Sequence, residues 1–305
     1  MTRRGRRVSP ATVFFAVLSI ALAIALYLKT HPAPPAPSPA PAPAARAPRP
    51  TAPRPRTAAP KAPTKLARAG TPHGTIPNGT LPKGTEGLAA IVIDDLGNEL
   101  GPAERIASWK APVAGAVLPG VAYSAASARA LARGGKEVLL HLPMEPAGYP
   151  KVRPGPGVIL RSQSDAEIVR TLENDLATVP GVVGVNNHMG SVATADPRVM
   201  RVVAGVLSDR GLFFLDSRTT DATVAERTAE EASVPAVSRR VFLDDVETEE
   251  AVSRQLAELV RRAREEGSAV AIGHPYPATL AVLEREMPGL AARGVRLVKV
   301  GELVR

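Results

Sequence analysis

Cysteine is absent from the 305-residue chain, which removes disulfides, thiolate metal sites and cysteine nucleophiles together. This absence fixes no compartment, because either side of a bacterial inner membrane tolerates a chain without disulfides. Acidic residues are missing from positions 1–85, which hold 13 of the 38 Lys and Arg and none of the 29 Asp and Glu. The rest of the chain therefore carries 25 basic against 29 acidic residues, a net −4, although the whole is +9. A basic groove is the footprint of a nucleic-acid binder. Here the excess charge lies outside the foldable part, so no nucleic-acid partner is expected. The basic residues keep the tail solvated and near an anionic surface. From Pro32 to Pro82 there is no hydrophobic run able to bury a core. Proline recurs instead among Ala, Thr, Arg and Lys, as in Pro32-Ala33-Pro34-Pro35-Ala36-Pro37. Residues 29–85 are accordingly expected to form an extended or disordered Pro/Ala-rich linker. What remains, 86–305, is long enough for one sizeable core.

The N-terminus reads as a membrane signal. Arg3, Arg4, Arg6 and Arg7 precede an apolar run from Val13 to Leu28, interrupted by Ser19 and closed by Lys29. With Ala11 and Thr12 the segment approaches the length that spans a bilayer, and the arginines favour a cytoplasmic N-terminus at residues 1–10. The run ends Ala25-Leu26-Tyr27-Leu28, with bulky residues where a signal-peptide cleavage site wants small ones. The expectation is an uncleaved single-pass anchor over 11–28, a membrane partner through that helix, and a C-terminal domain on the periplasmic side of an inner membrane.

From Leu88 onward, short apolar runs alternate with amphipathic stretches. The strand-like runs are Leu88–Ile93, Val113–Leu118, Glu137–Leu142, Val182–Val185, Leu212–Leu215, Val241–Leu243, Ala269–Ile272 and Arg296–Val300. Helices are expected over Ala125–Arg133, Asp165–Thr178, Pro197–Asp209 and Thr248–Glu266. Ser164 with Glu167 reads as a capping pair, and Gly134-Gly135, Gly211, Gly267 and Gly294 follow helices where a left-handed cap is wanted. Continuously apolar strands in βα units imply a parallel α/β sheet covered by helices, closed or nearly closed into a barrel. No Gly-x-Gly-x-x-Gly follows the first strand, so a dinucleotide fold has little support.

The polar residues fall at strand ends. Strand one ends Asp94-Asp95, strand three reaches His141 and strand four ends Asn186-Asn187-His188. Strand five ends Asp216-Ser217-Arg218, strand six Asp244-Asp245 and strand seven Gly273-His274. In a parallel barrel these C-terminal ends share one face, where active sites are built. Three histidines and several carboxylates on one rim suit a divalent metal such as Zn²⁺. Taken singly, each has a plainer role as a turn or hydrogen-bonded residue; their coincidence on one rim carries the argument. Tyr149 and Tyr276 follow these segments and are candidates to stack on a sugar.

Ile91-Val92-Ile93-Asp94-Asp95-Leu96-Gly97, His141-Leu142-Pro143-Met144-Glu145, Asn187-His188-Met189-Gly190-Ser191 and Gly273-His274-Pro275 together resemble the divergent polysaccharide deacetylases, distant relatives of the NodB-type carbohydrate esterases. The resemblance runs from about Leu88 to Val304. It implies a distorted (β/α) barrel, a divalent metal and hydrolysis of N-acetyl groups on a glycan substrate. Position by position, it implies Asp94 as catalytic base, Asp95 and His141 as metal ligands and His274 as general acid. Glu145 stands where the related esterases have the second histidine of His-x-x-x-His. His188 is taken, on spatial reasoning, as the ligand that completes the set. Two readings follow: a metal-dependent deacetylase of an envelope polysaccharide, or a non-catalytic glycan-binding or envelope-assembly protein that keeps the barrel.

Overall fold

The structure, a computed structural model, describes residues 86–305. The expected anchor (11–28) and linker (29–85) lie outside the described residues. Among those described, no helix is long and apolar enough to cross a membrane.

The chain runs β1 (Gly87–Leu96), α1 (Gly101–Ala107), β2 (Ala114–Val117), α2 (Ser124–Arg133), β3 (Val138–Met144), α3 (Asp165–Thr178) and β4 (Val182–Met189). It continues through α4 (Pro197–Arg210), β5 (Phe213–Asp216), α5 (Ala225–Glu231), β6 (Ala236–Ser238), β7 (Val241–Phe242) and α6 (Glu249–Glu266). Finally come β8 (Ser268–Gly273), α7 (Pro277–Glu286) and β9 (Val295–Leu297), with a 3₁₀ turn at Val300–Glu302. Every strand pairing is parallel, in the order β6-β5-β4-β3-β2-β1-β8-β7. β6 ladders only with β5, and β7 only with β8. The two are joined by Arg239 and Arg240, whose amides donate to Asp216 O on one side and Val270 O on the other. One passage of chain thus serves both edges of a curled sheet. The expected barrel is present as a curled, incompletely laddered one.

Strand side chains alternate between two faces, and here the two faces have separate cores. Ala89, Ile91 and Ile93 of β1, with Leu140, Val185, Phe214 and Ala271, pack outward under the helices. Ala90, Val92, Leu139, Phe213, Leu215, Val270 and Ile272 fill the interior. Val298, Val300 and Leu303 close the N-terminal end of that interior, where the Glu137 carboxylate accepts from Val300 N at 2.7 Å. Gly184 makes room for this layer: a Cβ there would lie 2.4 Å from the Phe213 ring.

Most expected elements are present within a residue or two of their ends. α3 starts with the expected box, in which Ser164 accepts from Glu167 N while the Glu167 carboxylate accepts from Ser164 N. Gly211, at φ 65°, closes α4 as expected. After α2 the left-handed residue is Gly135 rather than Gly134. The Arg296–Val300 run is a strand only over its first residues, in β9. β9 pairs only with Gly87–Ala89, and the following residues turn inward as the plug. β6, three residues long, was too short to read from the sequence.

Asp175 in α3 is buried without a compensating partner. Gly157 packs directly on its carboxylate, and Oδ2 receives no hydrogen bond among the described residues. Burial pushes its pKa up to about 8, above the unfolded carboxylate value. The folded state therefore binds more protons than the unfolded state between roughly pH 4 and 8, so its stability falls as pH rises through that window. Asp175→Asn should leave the denaturant midpoint nearly unchanged at pH 4 and raise it at pH 8. Urea titrations at both pH values check this.

Candidate active site

The inward rows of the strands continue from apolar residues at the N-terminal end to polar ones at the C-terminal end. The inner row of β1 runs Ala90, Val92, Asp94. That of β3 runs Leu139, His141; that of β4 Gly184, Asn186, His188; that of β8 Val270, Ile272, His274. Strict alternation would send Asp95 outward, toward the helices. It does not go there, because β1 slips register against β2 between Ile93 and Leu96 and Asp95 adopts φ 56°. An irregularity of this kind re-aims a side chain. Met189 (φ 53°), after His188, and Arg218 (φ 48°), after Ser217, take the same left-handed conformation. It costs a non-glycine residue roughly 1–2 kcal/mol, and such strain concentrates at functional sites.

The result brings together all five residues singled out from the sequence. His141 Nε2 lies 3.2 Å from Asp95 Oδ1 and 3.5 Å from Asp94 Oδ2. His188 Nδ1 lies 3.0 Å from the same Asp95 Oδ1 and 3.1 Å from His141 Nε2. His274 Nε2 lies 3.9 Å from the other carboxylate oxygen of Asp95, Oδ2. Glu145 is not part of the cluster: its carboxylate accepts from Arg161 N at 2.6 Å, and its carbonyl accepts from Val192 N and Ala193 N. It ties together the loops after β3 and β4.

Asn186 sets the protonation pattern. Its Nδ2 donates to Asp94 Oδ1 at 2.8 Å, which leaves its Oδ1 to accept from His141 Nδ1 at 2.9 Å. With its proton on Nδ1, neutral His141 turns a lone pair at Nε2 toward the Asp95 carboxylate and the His188 ring. Asp95 Oδ1 is itself buried and receives no hydrogen bond among the described residues. Three electron-rich atoms thus converge on one point, which demands a proton or a cation. With only protons available, burial opposes charging His141, but Asp94 and Asp95 outweigh it and raise its pKa to about 9. Burial likewise opposes ionising Asp95, yet His141 and His188 hold its carboxylate well below the usual range. Asp94 goes the other way: burial raises it more than His141 and His274 lower it.

The donor set fits a divalent ion. Two ligand atoms each ~2.0–2.1 Å from a tetrahedral ion lie ~3.3–3.4 Å apart, near the 3.0–3.2 Å separations seen here. Two imidazoles and one carboxylate are a set that suits zinc. Asn186 orients His141 through the ring nitrogen that does not ligate, as outer partners of metal ligands do.

Residues that the sequence reading did not single out complete the site. Asp244 is buried at the end of β7, accepting from His274 N at 2.6 Å and Thr279 Oγ1 at 2.7 Å, with its Oδ1 3.0 Å from His274 Nδ1. Burial disfavours charged His274, but Asp244 outweighs it, so the pKa of His274 is raised. Arg239, at the β6–β7 junction, donates to the carbonyls of Ser217 and Arg218 and lies over the Phe242 ring, which in turn packs beside His274. Asn186 and Asp244 stood at strand ends in the sequence, and the alternation of β4 would have aimed Asn186 inward. Nothing local marked Thr279 or Arg239. Asp216 is a turn cap, accepting from Arg218 N and Thr223 Oγ1. Tyr276 lies with its ring 5.5 Å from that of His274.

His141→Ala or His188→Ala should lower divalent-ion affinity by at least ~10-fold, since even outer-partner changes cost ~10–100-fold. Asp94→Asn should leave that affinity nearly unchanged. Calorimetric titration of the chelator-stripped protein with Zn²⁺ checks the contrast.

The chain is similar to several known proteins. The chain is 38% identical over 216 residues to an uncharacterized protein of Haemophilus influenzae, covering 71% of this chain and 76% of that protein. It is 36% identical over 218 residues to the uncharacterized protein YibQ of Escherichia coli, covering 72% and 67%. The crystal structure of the uncharacterized protein ATU2773 from Agrobacterium tumefaciens superposes with a TM-score of 0.69 at 26% identity, covering 73% of this chain and 92% of that one. Residues 91–304 match the family described as divergent polysaccharide deacetylase. The chain belongs to that family.

Proposed function

We propose that the protein is a metal-dependent hydrolase that removes acetyl groups from an N-acetylated envelope polysaccharide. The observation that carries this reading is that two proton-handling groups flank one ligand cluster, next to different members of it. Asp94 lies beside the ligating nitrogen of His141, and His274 lies beside Oδ2 of Asp95, the oxygen that His141 and His188 leave free. A divalent cation, zinc in this reading, held by Asp95, His141 and His188 would supply Lewis acidity at the amide carbonyl. The chain's own residues handle the protons. Asp94, pushed up by burial, is a stronger base than an ordinary carboxylate and takes the proton of the attacking water. Asn186 holds its other oxygen. As the water oxygen bonds to the acetyl carbon and the C–N bond breaks, His274 Nε2 gives a proton to the departing amine. Asp244 stabilises the charged form of that histidine and fixes its Nδ1 side, leaving Nε2 toward the cleft. Tyr276 beside His274 offers a ring face on which a sugar can stack. The same proposal puts the domain in the periplasm, tethered to the inner membrane by residues 11–28.

One observation favours the second reading, a non-catalytic glycan binder. Glu145, in place of a histidine, is committed to holding two loops together, so the His-x-x-x-His pair of the related esterases is broken. Asp94→Asn and His274→Ala separate the readings. Each should keep bound metal and glycan affinity yet lower acetate release by ~10²–10⁴-fold, measured on an N-acetylated glucosamine polymer. Glycan binding with no acetate released by the unmodified, metal-loaded protein would sink the hydrolase reading.

A further inference from the structure

The N-terminal end of the barrel, opposite the His and Asp rim, carries a groove of about 520 Å³ that the chemistry above does not use. Its walls are the α1–β2 connection and the stretch that follows α7. Trp109, Pro112, Met287, Pro288, Leu290 and Leu297 make it mostly apolar. The groove is built in advance. Trp109 Nε1 donates to Glu284 Oε1 at 2.8 Å, and Arg105 grips the Glu284 carboxylate with two hydrogen bonds of 2.7 and 2.8 Å. Lys136 Nζ donates to the carbonyls of Trp109 and Ala111, fixing the backbone of that wall.

The chain enters the domain beside this groove. Gly87 N donates to Gly294 O at 3.0 Å, Glu86 Oε2 lies 3.4 Å from Arg296 Nε, and Gly87–Ala89 ladder with Val295–Leu297, which line the groove. The residues just before Glu86 therefore begin about one strand spacing, ~4.8 Å, from its wall. Their sequence has the matching chemistry. Between Lys29 and Thr85 the large aliphatic residues are Leu66, Ile76 and Leu81, and the last two each precede a proline, as Ile76-Pro77 and Leu81-Pro82. A residue before proline is held extended, and extended proline-bearing segments dock on aromatic-lined grooves with little ordering cost. Reach is sufficient: Leu81 lies within ~17 Å of chain from Glu86, and Ile76 within ~34 Å.

We propose that Ile76–Pro82 of this same chain occupies the groove, with Leu81 and Ile76 against Trp109 and the prolines against Pro112 and Pro288. The free linker then ends near Thr75 rather than Thr85, and the tether is fastened to the end of the barrel farthest from the active site.

Two readouts on the full-length protein in detergent test this. Trp109 is the chain's single tryptophan, so its emission reports the groove alone. Trypsin sites at Lys61, Lys65, Arg68 and Lys83 report the segment. In the unmodified chain, cleavage after Lys83 should be severalfold slower than after the other three, and Trp109 should resist acrylamide quenching. Ile76→Ser with Leu81→Ser should bring Lys83 to the rate of the others, shift Trp109 emission to the red and raise its quenching severalfold. Ala291→Arg, on the exposed groove wall, should do the same from the opposite side, whereas Leu66→Ser should change neither readout. Equal cleavage at all four sites in the unmodified chain, or a Trp109 signal indifferent to the double substitution, overturns the proposal. Emission that follows protein concentration but not the substitutions also overturns it, by assigning the groove to a second copy.

Discussion

Alternation of side chains along parallel strands is the constraint from which the rest follows. Once Ala90 and Val92 are committed to the interior of the curled sheet, Asp94 must follow them, and the same holds for His141 after Leu139 and His274 after Ile272. The apolar layer sealed by Val298, Val300 and Leu303 then serves two ends at once. It holds the sheet curled, and it supplies the low-polarity floor that raises Asp94 and strengthens every charge interaction above it. A one-residue slip in any of these strands would turn a reactive group outward into the helix layer. The positions of the reactive groups and the core are therefore specified by the same residues.

The second level is electrostatic. Asn186 links a carboxylate to an imidazole, so Asp94 and His141 cannot choose their protonation states independently. Its amide directs the proton of His141 away from Asp95 and leaves three lone pairs facing one point. Such a cluster is costly unless a positive charge fills it, and a doubly charged ion fills it better than shared protons. Asp95 reaches the cluster only through a strained, left-handed turn, an expense that the surrounding packing maintains for a site and not for a loop.

Much of this was legible in the sequence because period-two apolar runs and strand-end polar residues are local signals. The parallel α/β class, most of the strand runs and the five rim residues came from them, and Ser164–Glu167 marked the start of α3 to the residue. What escaped was non-local. β6 is three residues long and makes sense only beside β5. The Arg296–Val300 run begins as strand β9, but the edge of β1 that it would need farther along is taken by β2, so the rest of it becomes a plug. Asp244 looked like a turn residue until the fold placed it behind His274, 30 residues away. His188 was chosen over Glu145 from the sequence on spatial reasoning, and the pairing of β3 with β4, which sets His188 beside Pro143, supplies the physical reason.

The central claim is that Asp95, His141 and His188 converge to hold one divalent ion with positions left open for water and substrate. X-ray absorption on the zinc-loaded protein tests it most directly. The account predicts two imidazole nitrogens at ~2.0–2.1 Å, with the remaining scatterers oxygen, including solvent that added acetate displaces. A spectrum with no imidazole shell, or with a closed four-ligand set unresponsive to acetate, would contradict it.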